Sequence, residues 1–178
     1  MYKQYLATTL GALLFAGCAQ QSAFVTPKLE ILNKQVQSNS GNSQAYSNRG
    51  YTLAVLGQRE AARADLQRAL KLKDSAPLRN SAGFAYYNLG DYQDALREWK
   101  LAADMSERRA RYDYYSLALG YWGVGDHKQA LENYQLAVER DPRFGSARTL
   151  DERTAEWSPR ERATIREIYA VWSKAWRP

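Results

Sequence analysis

Small and large side chains recur along the middle of the chain with a period of about one helical hairpin. Gly57, Gly90 and Gly125 lie 33 and 35 residues apart, each preceded by an aliphatic residue: Leu56, Leu89 and Val124. Five positions after each glycine stands an alanine (Ala62, Ala95, Ala130), and seven further on stands another (Ala69, Ala102, Ala137). Between the two alanines sit Leu66, Trp99 and Tyr134. Upstream, small residues recur at Gly50, Gly83 and Ala118, with Leu53, Tyr86 and Tyr121 three positions later. The apolar positions Ala95, Leu96, Trp99, Ala102 and Ala103 follow the 3-4 spacing of a helix stripe. The pattern therefore predicts a helix on either side of each glycine, with the glycine closing the first helix in a left-handed conformation. The alanines let the two helices approach closely, and their larger neighbours fill the groove beside them. A single hairpin cannot bury such a stripe, so the hairpins must stack.

The ends of the array carry signals of their own. Thr26-Pro27 followed by Leu29, Leu32 and Val36 predicts a short helix shielding the first hairpin, and 37–43 reads as a polar linker. After Pro142, residues 144–157 are expected to form one helix. A second is better marked, because Ser158-Pro159-Arg160-Glu161 combines a capping box with proline at the first helical position. Its inner face would carry Ile165, Ile168, Tyr169 and Trp172. Either this helix caps the third hairpin or it is an amphipathic helix that docks on a partner.

The three units resemble the tetratricopeptide repeat, whose period is about 34 residues. The resemblance spans residues 43 to 142 in units 43–75, 76–110 and 111–142. The third unit matches best, through Tyr114, Leu117, Ala118, Tyr121, Ala130, Tyr134, Ala137 and the closing Asp141-Pro142. Departures are Arg49 at a usually apolar site, Asp74 where proline is typical, and Arg79 in place of a bulky aromatic. The resemblance implies an all-α, right-handed α-solenoid of about three hairpins between N-terminal and C-terminal capping helices (18–42 with its tether, and 143–178). It also implies a concave protein-binding surface lined by the first helix of each hairpin. The exposed concave positions carried over from the family are Ser47 and Tyr51, then Asn80, Phe84 and Tyr87, then Tyr112, Tyr115, Leu119 and Trp122. Phe84 and Leu119 are equally well read as rings and chains packed between repeats, whereas Tyr87, Tyr115 and Trp122 are expected in the groove. Such an aromatic lining gives large contact area at low entropic cost, and whether the groove stays open depends on whether the C-terminal helices cap the array or fold back into it. Ser47 and Tyr51 occupy two positions where a carboxylate clamp would need basic or amide side chains, so that subset of the family is not supported.

Residues 1–17 do not read as part of this fold. Lys3 and the amino terminus form a small positive region, and an apolar stretch from Tyr5 to Phe15 follows, too short to span a bilayer comfortably. Phe15-Ala16-Gly17-Cys18 resembles the lipobox of bacterial lipoproteins, with Phe15 standing where an aliphatic residue is usual. The resemblance implies cleavage before Cys18, acylation of that residue with palmitate among the chains, and a tether over Ala19–Phe24. Ala19 at the next position implies the outer membrane, on its periplasmic face. An ordinary signal peptide cut near Ala19, giving a soluble periplasmic protein, is the alternative.

Composition narrows the chemistry. One cysteine and one histidine, Cys18 and His127, cannot supply the four ligands of a structural zinc site, and no metal is expected. No nucleophile elbow, phosphate loop or dinucleotide fingerprint is present, so neither a cofactor nor an enzymatic activity is expected. His127, aligned with Tyr92, reads as a residue flanking the hinge. The formal charge is +6, with basic residues at Arg108, Arg109 and Arg111 and along the C-terminal stretch from Arg143 to Arg177. Interspersed acids make that stretch a solvated face, with anionic headgroups or cell-wall polymers as the sharper alternative; nucleic acid would demand a cytoplasmic protein, which the export signal argues against, so none is expected. Glu60 with Arg63 and Asp94 with Arg97 are expected as helix-surface ion pairs. The expected function is a non-catalytic adaptor or assembly factor at the outer membrane, held by its lipid and binding a protein or peptide in the groove. Pilotin-like or pilus-assembly lipoproteins, and regulatory subunits of cell-wall enzymes, are the alternatives by resemblance.

Overall fold

The computed structural model describes residues 28–106 and 113–175. The signal segment, Cys18, the tether, Thr26-Pro27, Arg108, Arg109, Arg111, Tyr112 and Arg177 lie outside the described residues. In chain order the elements are α1 (28–38), α2 (Ser43–Val55), α3 (Arg59–Leu72), α4 (Ala76–Leu89), α5 (Tyr92–Met105), α6 (Asp113–Gly123) and α7 (His127–Arg140). A short 3-10 turn (Pro142–Phe144), α8 (Ala147–Arg153) and α9 (Pro159–Ala175) follow. No strand occurs among the described residues.

Each predicted hinge glycine closes a first helix. Gly57, Gly90 and Gly125 have φ of +73°, +82° and +85°. The amide after each glycine then donates to the carbonyl five residues back: Gln58 to Leu53, Asp91 to Tyr86, and Asp126 to Tyr121, all at 2.9 Å. This bond pattern satisfies carbonyls that the helix end would otherwise orphan, and turns the chain antiparallel. The result is three hairpins, α2–α3, α4–α5 and α6–α7, stacked through α2 on α4 and α5 on α6.

Size complementarity between hairpins fixes their register. Trp99, buried to 1% exposure on α5, fills the space left by the missing side chains of Gly83 on α4 and Gly120 on α6. Leu66 on α3 does the same opposite Gly50 on α2. The alanines at the predicted close approaches (Ala62, Ala95 and Ala130) are all fully buried. The indole N–H of Trp99 donates to the Asn80 carbonyl at 3.2 Å, so its one polar atom is satisfied.

The two arginines among the departures from the repeat pattern each pair with an acid across their own hairpin. The Arg49 guanidinium donates to both oxygens of Asp65 (2.6 and 2.7 Å) and to Asn33 of α1 (3.1 Å). Arg79 donates to Glu98 (2.7 Å) and doubly to Asp74 (2.6 and 2.5 Å). Asp65 and Glu98 both lie eight residues past their hinge glycine and are both buried. In these two hairpins a basic residue at a usually apolar site faces a buried acid on the second helix. Between hairpins, Arg59 and Arg63 of α3 converge on Asp91, and Arg63 also reaches Asp94. The expected Asp94–Arg97 pair forms at 2.6 Å. Arg63, expected to pair with Glu60 on its own helix, instead joins repeat one to repeat two.

The C-terminal region differs from the expected single helix over 144–157. Phe144, buried to 1%, plugs the end of the third hairpin, where its carbonyl accepts from the Tyr134 hydroxyl at 2.7 Å. The chain turns at Gly145, and Ser146 then caps the short α8 by accepting from the Thr149 amide. The polar linker is also shorter than expected, because α1 runs to residue 38 and Asn42 caps α2 by accepting from Ala45. The capping box of α9 forms in both directions, Ser158 N–H to Glu161 (3.0 Å) and Glu161 N–H to Ser158 Oγ (3.2 Å). Along the basic stretch, Arg143 and Arg153 pair with Asp141, Arg148 with Glu152, and Arg166 with Asp151.

Two outcomes follow. Gly83→Ala forces a methyl into the Trp99 indole and should cost about 1–3 kcal/mol through overpacking; urea denaturation should show a lower midpoint at unchanged slope. Asp141 is held down to about 2 by hydrogen bonding from Arg143. Its folded pKa lies below the unfolded one, so its stabilisation is present above the unfolded carboxylate pKa and is lost as pH falls through about 2. Stability curves of the native chain and Asp141→Asn should therefore be separated at neutral pH and converge in strong acid.

Candidate functional site

The first helices α2, α4 and α6 present Tyr51, Phe84, Tyr87, Tyr115 and Trp122 to one face, and the chain's own C-terminal segment lies against it. Contacts step along α9 in sequence order. The Tyr51 hydroxyl donates to Glu161 (3.2 Å), and the Asn88 amide donates to the same carboxylate (2.5 Å). The Tyr87 hydroxyl donates to Thr164 Oγ1 (2.9 Å), and the Trp122 indole N–H to Glu167 (3.3 Å). Farther on, Trp172 donates to Gln135 of α7 (2.7 Å). The inner face predicted for α9 is the buried one: Ile165 and Ile168 are fully buried, Trp172 nearly so, and Tyr169 half-buried. The helix therefore runs across the first helices of all three hairpins, rather than only capping the last.

The aromatic positions expected to line an open groove are accordingly of two kinds. Tyr87 and Tyr115 are buried, at 2% and 6% exposure. Trp157 packs on Phe84 and Tyr115 with ring centroids 6.1 and 5.1 Å away. Phe84 also meets Trp99 edge-on at 5.1 Å, which links the groove floor to the hairpin core. Leu119 is fully buried between repeats. Asn80 is a joint between repeats, its side-chain oxygen accepting from Ser116 at 3.2 Å. Trp122 stacks on His127 at 4.2 Å and 9°, so the histidine supports the hinge as its position suggests. Tyr112 lies outside the described residues.

Toward the first hairpin the face stays open. A cavity of about 340 Å³ lies between α2, α4 and the turn before α9. Tyr51, Phe84, Tyr115 and Trp157 supply rings to its wall, Ser47, Asn48 and Ser81 supply polar groups, and Lys28, Glu156 and Glu161 supply charge. Ser47 is 1% exposed, and its hydroxyl has no hydrogen-bond partner. Burial raises the Glu161 carboxyl, opposed by hydrogen bonds from Asn88, Ser158 and Tyr51. Burial and the neighbouring Glu161 push the Tyr51 hydroxyl up, and burial lifts Tyr87 to about 12, so both phenols stay protonated. No cluster of three metal-ligating side chains occurs among the described residues.

Repeat arithmetic did not single out Trp157, Glu161 and Thr164, three of the residues that close this face. The capping box marked Glu161 as a helix start, and only the tertiary position of α9 gives its carboxylate a second task. Removing that carboxylate should matter more than removing a peripheral one. Glu161→Ala, which strands the Tyr51 and Asn88 donors and half the capping box, should cost about 1–3 kcal/mol. Glu167→Ala, on an exposed side chain, should stay within about 0.5 kcal/mol. Chemical denaturation of the two variants checks the order.

Residues 43–75 and 114–144 match the family described as tetratricopeptide repeat. The middle hairpin between them has the same two-helix geometry. No curated protein matches the sequence. Among solved structures, MamA residues 41 to the end from Desulfovibrio magneticus RS-1 is similar at a TM-score of 0.57 and 18% identity, over 94% of this chain and 97% of that one. A further MamA crystal structure gives 0.57 and 18% over 88% and 92%. The MamA RS-1 ArsTM double mutant gives 0.56 and 19% over 92% and 95%. At these identities the likeness speaks for the fold alone. The chain thus carries stretches that match the tetratricopeptide repeat at 43–75 and 114–144, and its described part is an all-α solenoid of three helical hairpins flanked by further helices.

Proposed function

We propose that the protein is a non-catalytic adaptor that binds a segment of another protein in the open end of its concave face. The observation that carries this reading is the cavity between α2 and α4. Its wall combines rigid rings with polar groups on Asn48 and Ser81 and the buried, unpaired hydroxyl of Ser47. Concave sites of a few hundred cubic ångströms with a few convergent polar groups are the usual form of a binding site. Its ionisable groups do not make a reacting set. Tyr51 is shifted away from ionisation, and Glu161 is tied to three donors.

The same reading places the protein at the periplasmic face of the outer membrane, held by a lipid on Cys18. The support is the Ala16-Gly17-Cys18 sequence behind an apolar stretch. No helix among the described residues is long and apolar enough to cross a membrane. A repeat array on a tether can then gather a partner at the membrane surface, where linkage raises its effective concentration.

Two experiments test these statements. Asn48→Trp places a ring over the cavity from an exposed position of α2 and leaves the core intact. Pull-down from envelope extracts with the full-length chain should recover a partner that this variant loses while its helical circular dichroism is unchanged. Recovery by both would move the partner to another face. For the anchor, an alkyne palmitate analogue should label the native chain, and Cys18→Ala should shift it from membrane to soluble fractions. An unlabelled, soluble native chain would leave a free periplasmic protein.

A further inference from the structure

The cavity wall is selective in its chemistry. Phe84, Tyr115 and Trp157 form a continuous aromatic surface, with centroids 5.1 to 6.3 Å apart, and Tyr51 flanks it. Ring faces carry negative quadrupole potential, which attracts cations. Two carboxylates share the wall: Glu161, 2% exposed, and Glu156, exposed at the rim. Lys28 is the one cationic side chain on it, and it is exposed. The Ser47 hydroxyl lies buried behind the wall without a partner. An anion entering here would meet two carboxylates and four rings with a single lysine opposing them. The space suits one side chain and is too small for a helix, which is about 10–12 Å across.

We propose that this cavity receives the cationic side chain of a lysine or arginine on the partner protein. The inference rests on the adaptor reading above and adds what the partner must present. The stem of such a side chain would lie along Phe84 and Trp157, as long basic side chains do on apolar surface. Its head would sit between Glu156 and Glu161. Glu161 is already oriented by Tyr51, Asn88 and the Ser158 amide, so the ligand meets a carboxylate held in place. The rim carboxylate of Glu156 contributes attraction at the entrance, where charge chiefly governs selection between partners.

The test uses the full-length chain labelled with ¹⁵N and small probes in place of the partner. N-acetyl-arginine amide and N-acetyl-lysine amide should shift the Trp157 indole and Asn48 side-chain resonances in a saturable manner. N-acetyl-leucine amide and N-acetyl-aspartate amide should shift them much less. Glu156→Gln should weaken the arginine probe roughly fivefold, the range of an exposed charge pair. Trp157→Leu should weaken both cationic probes, with the Asn48 resonance as readout. The proposal is overturned if the arginine probe gives no shift up to its solubility limit, if the leucine or aspartate probe binds as tightly, or if Glu156→Gln leaves its affinity unchanged. A partner lost on Asn48→Trp together with indifferent probes would keep the adaptor reading and remove this one. Cationic probes that bind alongside a partner retained by Asn48→Trp would leave a cation-selective cavity that the partner does not enter, and would overturn both readings.

Discussion

Trp99 has room on α5 because positions 83 and 120 have no side chains, and much of the remaining architecture follows from that fit. The indole packs against α4 of its own hairpin and α6 of the next, so it sets the spacing of both. Its ring also touches Phe84 at 5.1 Å and Tyr87 at 5.7 Å, and these residues form the concave floor. Interiors are close-packed, and a shape fitted on three sides cannot shift without disturbing all three. The arginine pairs to Asp65, Glu98, Asp91 and Asp94 act around this core. The partly buried ones are best understood as fixing register, since removing one partner would strand the other's charge.

On that floor the C-terminal segment decides what remains accessible. Ile165, Ile168 and Trp172 anchor α9 by burial, and Trp157 packs beside Phe84 and Tyr115. Glu161 supplies the polar end of the arrangement, since one carboxylate caps α9 and accepts from both α2 and α4. The face is therefore closed over the second and third hairpins and open beside the first. Each feature of the cavity, including its aromatic wall and its carboxylates, comes from the junction of repeat and C-terminal segment.

Periodicity made the hairpins legible, because glycine spacing and the small-large pattern are local consequences of helix geometry. The left-handed glycines, the alanine contacts and the buried stripe of α9 all stand where the pattern places them. The ion pairs were harder to read. Arg49 and Asp65 are 16 residues apart, and their meeting depends on the hairpin turn rather than on helix spacing. Helix spacing pairs Arg63 with Glu60 on its own helix, whereas the next hairpin offers two better-placed acids, Asp91 and Asp94. The concave face was legible in part: repeat register tells which way Tyr87 and Tyr115 point, but not that Trp157 and α9 cover them. Gly145 and Ser146 carried a turn signal inside the stretch expected as one helix, and that signal prevailed once Phe144 had a core to enter.

The arrangement stands or falls on α9 being seated across the concave face in solution. Hydrogen exchange followed by mass spectrometry on the native chain measures this directly. Amides of α9 should exchange as slowly as those of α7, with protection extending to the first turn around Glu161. Exchange of α9 at the rate of an unstructured peptide, with the three hairpins still protected, would contradict the account and leave the whole concave face open.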